Sequence, residues 1–144
     1  MIEIVNNQRK TKIDSERWRN FTMKALRAIK KAKEKGVTIA FVSDRKMREL
    51  NRIFRGQHKT TDVLSFPAGE QEEFEVDTLD HMLGDIVISL EQAARQAKEN
   101  DLDLDTEISQ LILHGLLHLC GYDHETDNGE MNRLELKLRR KLGI

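Results

Sequence analysis

This chain has little of what locks or punctuates a fold: one cysteine, one proline, one tryptophan, one tyrosine and five phenylalanines in 144 residues. A lone Cys120 excludes an intramolecular disulfide and suits a reducing compartment, so a cytoplasmic protein is expected. No apolar run approaches the roughly 18 residues needed to cross a bilayer, which argues against a membrane partner. The start, Met1-Ile2-Glu3-Ile4-Val5-Asn6-Asn7, has no basic segment followed by an apolar one and does not read as a signal peptide. With so few aromatic rings the chain cannot build a broad stacking platform, and any nucleic-acid contact is expected to be chiefly electrostatic and sensitive to salt.

A hydrophobic content of 38% in a chain of this length suits one domain with one core, spanning residues 1–144. The net charge of -1 hides an asymmetry. Residues 1–60 carry 17 Lys and Arg against 6 Asp and Glu, whereas residues 61–144 carry 7 against 19. The first part can offer phosphates a positive surface if its side chains gather on one side of the fold, although solvated helix faces give the same count.

Ile2 to Val5 reads as a strand. A helix is predicted from Asp14 or Ser15 to about Lys35, with Trp18, Phe21, Ala25, Ile29 and Ala32 on one stripe and Gly36 as its stop. Val37–Val42 is β-branched and apolar, and Ser43 or Asp44 can cap a second helix that carries Met47, Leu50, Ile53 and Phe54 and ends at Gly56. Asp62–Phe66 reads as a strand closed by Pro67, and Gly84–Ser89 as another. Between them, residues 69–80 hold six acids and no base, the composition of an exposed, mobile loop. Three helices follow, to about Asn100, from about Asp105 to Leu119, and from about Thr126 to Leu142. This order implies an α+β fold: a mixed four-stranded sheet packed with about five helices, with one strand pairing left open by the acidic segment.

The chemistry gathers near the C-terminus, in His114-Gly115-Leu116-Leu117-His118-Leu119-Cys120-Gly121-Tyr122-Asp123-His124. Residues four apart on a helix share a face, so His114 and His118 project together, and Gly121 lets the chain turn and return a third imidazole. The helix that carries them is apolar almost all round and belongs inside the domain, where two unpartnered imidazoles would cost at least ~1 kcal/mol each. A shared metal would satisfy both. Three neutral nitrogens suit Zn²⁺, with Ni²⁺, Co²⁺ or Cu²⁺ able to take the same ligands in vitro, and a fourth position left open is a catalytic arrangement. Cys120 falls on another face and reads as core. The spacing matches the metzincin peptidase pattern H-E-x-x-H-x-x-G-x-x-H except that Gly115 replaces the general base, a loss of about 10²- to 10⁴-fold in rate, so peptide hydrolysis is disfavoured. Phosphodiester hydrolysis asks less of a neighbouring carboxylate. Asp85, Asp123 and Glu125 are candidates for orienting a ligand or moving a proton.

Arg48, Arg52 and Arg55 are spaced to share one face of the second helix and to grip successive phosphates, with Arg55 nearest the following loop. Lys59 and His58 extend this patch, and His81 shows no partner. Taken together, His114-Gly115-x-x-His118-Leu119-x-Gly121-Tyr122-Asp123-His124, Thr61-Asp62-Val63-Leu64-Ser65-Phe66-Pro67, Gly84-Asp85-Ile86, and Leu50-Asn51 with Arg55-Gly56 resemble the YbeY family of bacterial metal-dependent endoribonucleases. The resemblance covers about residues 37–130. It implies a zincin-like domain with zinc on His114, His118 and His124, and a functionally important arginine at Arg55. It also implies cleavage of single-stranded RNA, in 16S ribosomal RNA 3′-end maturation and ribosome quality control, with RNA and the ribosome as partners. On this expectation His114 and Arg55 are the catalytic residues; the spacing of the basic patch assigns Arg48, Arg52, Arg55 and Lys59 to holding substrate, and, separately, a monomer is expected. The attacking group is either water or the substrate's 2′-OH. Two other readings stay open: a zincin-type peptidase or other hydrolase, and a non-catalytic ribosome-assembly factor with structural zinc.

Overall fold

The computed structural model describes residues 1–68 and 81–144, so the acidic stretch 69–80 lies outside the described residues. Four strands, β1 (Ile2–Asn7), β2 (Gly36–Val42), β3 (Val63–Pro67) and β4 (Met82–Ser89), form one sheet in the order β1-β2-β4-β3. β1 and β4 each pair with β2 in parallel, and β3 pairs antiparallel with β4 at the edge, which settles the pairing that the sequence left open. Five helices accompany the sheet, α1 (Ser15–Ala28), α2 (Asp44–Arg55), α3 (Leu90–Glu99), α4 (Leu104–Leu119) and α5 (Glu130–Leu142), the last of which packs on α1 and α4. The fold is α+β, as its alternating patterns imply.

Strand alternation gives the two faces of the sheet different partners. Ile39, Phe41, Ile86 and Ile88 join the larger core with α1 and α4, whereas Val42, Leu64 and Val87 meet Met47 of α2 in a smaller one. The large core is built around α4, whose Ile108, Ile112, Leu113, Leu116 and Leu117 are all but inaccessible. Gly115 is what lets α4 lie so close to the sheet. A Cβ there would come 2.9 Å from Ile86 Cδ1 and 3.1 Å from its Cγ1.

Two helix boundaries depart from the pattern. α1 stops at Ala28, not near Lys35: Ile29 is extended, a 3₁₀ turn follows at Lys30–Ala32, and Glu34 is left-handed with φ 65°. The break lets Ile29 and Ala32 both enter the core while the lysines between them face water. Gly36 therefore does not end a helix but opens β2, where any Cβ would run into the Met1 carbonyl at 2.3 Å. α5 starts at Glu130 and not at Thr126, because Asp127 spends its carboxylate on the backbone N–H groups of Gly129 and Met131, and Gly129 takes φ 94°. A side chain that binds its own backbone in this way competes with helix and favours a turn.

Candidate metal centre

α4 delivers His114 and His118 to the face that looks towards β3. Its end is tied down by Cys120 and Gly121 N–H groups donating to the Leu116 and His118 carbonyls, and Gly121, at φ 94°, turns the chain. Tyr122 then anchors the loop, donating its N–H to the Leu117 carbonyl and placing its ring under Lys31 Nζ at 4.4 Å. Two residues later His124 comes back over the pair. The candidate ligand atoms of the three imidazoles lie within 4.8 Å of one another, with His118 Nε2 and His114 Nε2 3.1 Å apart. Donors about 2.1 Å from a tetrahedral ion stand about 3.4 Å from each other, so a metal fits among these rings with small adjustments.

Protonation suits the same purpose. Burial pushes the His118 pKa down, and the neighbouring His114 and His124 push it further against the opposing pull of Asp123 and Glu135. A neutral imidazole presents a lone pair. His114 is held from behind, its Nδ1 3.2 Å from each carboxylate oxygen of Glu135. With Nδ1–H donating to that carboxylate, Nε2 is left as the ligand atom. Burial works to raise the Glu135 carboxyl, but the hydrogen bond and charge of His114 and the charge of Arg139, 3.3 Å away, outweigh it and hold the group below its ordinary range.

Glu135, in contact with His114, is a residue of the candidate site that sequence reasoning missed; it lies on the C-terminal helix, outside the span 37–130 that carries the family resemblance. Its signal was present: an acid on the Met131–Leu138 stripe, at positions that pack inward. Asp62 was missed as well. It reaches both the metal cavity and a second polar cavity behind His114, where Gln96, with its amide nitrogen facing the acids, donates to Asp62 Oδ2 and Glu107 Oε1 at 3.1 Å each. Burial raises the pKa of Glu107.

In front of the histidines is an open cavity of about 390 Å³, bordered by Arg55, Ser65, Pro67, Asp123 and Glu125. Arg55 thus stands at the candidate centre, as do Asp123 and Glu125. Asp85 does not: it shares the face of β4 that carries Val87 and looks towards α2, while α4 lies on the opposite face. Arg48, Arg52 and His58 line a separate shallow depression further along α2, so the arginine stripe is divided between two hollows. Lys59 is exposed and borders neither; its carbonyl accepts from the buried Asn51 Nδ2 at 2.9 Å, tying the loop to α2. His81 is exposed, and Cys120 is packed at the core with its thiol pushed up by burial.

Fold and site together define an α+β protein with a three-imidazole centre open to solvent on one side. The family model described as Endoribonuclease YbeY matches residues 3–143. The Endoribonuclease YbeY of Syntrophus aciditrophicus is 38% identical over 141 residues, covering 98% of this chain and 86% of that protein. That of Caldanaerobacter subterraneus subsp. tengcongensis is 36% identical, with 99% of each chain covered. The solution structure of TM1509 from Thermotoga maritima superposes with a TM-score of 0.66 over 99% of this chain and 89% of that one, at 28% identity. This chain belongs to the YbeY endoribonuclease family.

Proposed function

We propose that this protein is a zinc-dependent endoribonuclease that cuts single-stranded RNA, acting as a cytoplasmic, single-domain monomer in 16S ribosomal RNA 3′-end maturation and ribosome quality control. The observation that carries the reading is the meeting of three imidazoles and Arg55 around one open cavity, in a chain of a family named for RNA cleavage. Among the described residues no helix is long and apolar enough to cross a membrane.

His114, His118 and His124 would hold the ion, which when bound lowers the pKa of water and polarises a phosphoryl oxygen. Glu135 fixes the His114 tautomer and ring orientation. Arg55, always charged and planar, would bind the scissile phosphate and offset charge that develops on its oxygens. Asp123 and Glu125 stand at the cavity wall where a proton could be taken up or delivered. Peptide hydrolysis is disfavoured on packing as well as chemistry, because position 115 points at Ile86 and has no room for a catalytic glutamate. The arginines of α2 would hold flanking phosphates through a salt-dependent contact.

The test is cleavage of an end-labelled single-stranded RNA by metal-loaded protein, before and after chelation, beside Arg55→Ala and His114→Ala. Loss of cleavage on chelation and in both variants is expected; equal cleavage in all three proteins would mark a contaminating nuclease and defeat the reading. Products ending in a 2′,3′-cyclic phosphate would assign attack to the 2′-OH, and a linear end to water.

A further inference from the structure

The C-terminal end of α2 carries a surface that the cleavage chemistry leaves unused. Ile53 and Phe54 are 54% and 61% exposed, although both belong to the apolar set of their helix. Phe54 continues the stripe of Met47 and Asn51, which are buried against the sheet, but it reaches the outer strand β3 and so overhangs the edge. There it meets Phe66 with ring centroids 5.1 Å apart and planes at 66°. This edge-on contact steadies the Phe54 ring and leaves much of it open.

The ring lies on the α2 face of the sheet and does not itself line the metal cavity, but its neighbours in the chain do, around the β3 edge. Arg55, the next residue in the chain, lines the metal cavity, as do Ser65 and Pro67 on either side of Phe66. Behind it on α2, Arg48 and Arg52 line the basic depression. An open aromatic ring beside a face of cationic side chains, with Arg55 the nearest of them in the chain, has the chemistry of a single-strand subsite, in which the cations hold phosphates and the ring takes a base.

We propose that Phe54, braced by Phe66, stacks on one unpaired nucleobase of the RNA whose neighbouring phosphate lies at Arg55. The proposal rests on the endoribonuclease reading and deepens it by giving a physical origin for single-strand preference. A base already stacked inside a duplex cannot splay onto the ring, whereas an unpaired one can.

The experiment compares metal-loaded wild type, Phe54→Ala, Phe54→Leu and Phe54→Tyr on an end-labelled single-stranded RNA of defined cut site. A second set of substrates carries one abasic nucleotide, moved stepwise along the strand. Stacking on a protein ring is worth a factor of roughly 5 to 100 in affinity, so KM should rise by about that much in the Ala and Leu variants, with kcat little changed, and stay near wild type in Tyr. One abasic position should raise the wild-type KM by a similar factor and cost Phe54→Ala nothing more. Phe54→Ala with a wild-type KM, Phe54→Leu behaving as wild type, or an abasic loss that multiplies with Phe54→Ala at every position would each overturn the subsite while leaving the nuclease intact. Absence of any RNA cleavage by wild type would defeat the nuclease reading and the subsite with it.

Discussion

Glu135 gives the most quantitative handle on the centre. Its side chain is 9% exposed and both oxygens sit 3.2 Å from His114 Nδ1, while Arg139 approaches from the other side at 3.3 Å. Glu135→Gln keeps an acceptor oxygen for Nδ1–H but removes the negative charge that makes the imidazole a better donor. Glu135→Ala removes the acceptor too, leaving the ring free to rotate. Losing a partner of this kind typically costs about 10- to 100-fold in metal affinity, or roughly 1.4 to 2.7 kcal/mol, and the two variants should fall near the low and high ends of that span. Competition for zinc against a chromogenic chelator measures this directly. Breaking a fully buried ion pair costs about 3–5 kcal/mol, but the Arg139 side chain is 33% exposed and can turn to water, so metal-free stability should drop by only about 1–2 kcal/mol. The metal-free and metal-loaded melting temperatures should therefore separate the two effects, with metal protection reduced beyond the loss in the bare fold. Zinc affinity of Glu135→Ala within twofold of wild type would refute the claim that this carboxylate organises His114.

Three further outcomes follow from the packing and charge. Gly115→Ala gains about 1 kcal/mol of helix propensity but meets Ile86 at 2.9 Å in a closed core, where overpacking costs about 1–3 kcal/mol, so urea denaturation should show a net loss of up to about 2 kcal/mol; a gain would mean that Ile86 yields freely. Asp44, although burial works against it, is held below its ordinary pKa of 3.8 by Ser89, Arg95 and Thr60. An acid whose pKa falls on folding stabilises the fold above its unfolded value, and the contribution disappears as pH drops through the folded one; Asp44→Asn should thus cost about 1–3 kcal/mol at pH 7 and progressively less below pH about 3.8. A cost independent of pH would contradict that assignment. Arg55→Lys keeps the charge but not the planar fork, and should recover only part of the cleavage rate lost in Arg55→Ala; full recovery would reduce Arg55 to a point charge.

The histidine cluster was legible because its determinants are local: a four-residue helical interval, a turn-forming Gly121, and a return within ten residues. Glu135 was not, since its partner lies 21 residues back in sequence and only the packing of α5 on α4 brings them together. Asp85 misled for a related reason. Its neighbours in the sequence suggest a site residue, but which face of β4 meets α4 depends on register with β2 and β3, and that register turns Asp85 away. The end of α1 was misread because an apolar stripe continues through Ile29 and Ala32, which the chain buries with a 3₁₀ turn and not with a continuous helix. Phe54 keeps the helical spacing of the buried Met47, but it meets the edge strand β3 and stays 61% exposed, which the spacing alone does not show.

The central claim is that RNA cleavage depends on a metal held by the three imidazoles, and His124 tests it most directly. It is exposed on a loop beyond α4, so His124→Ala should leave the metal-free fold intact while removing a ligand. Bound zinc and single-stranded RNA cleavage, measured on the same preparation across a zinc titration, should rise together in wild type and stay low together in His124→Ala at matched metal-free melting temperature. A His124→Ala protein that binds no zinc yet cleaves at the wild-type rate would contradict the account.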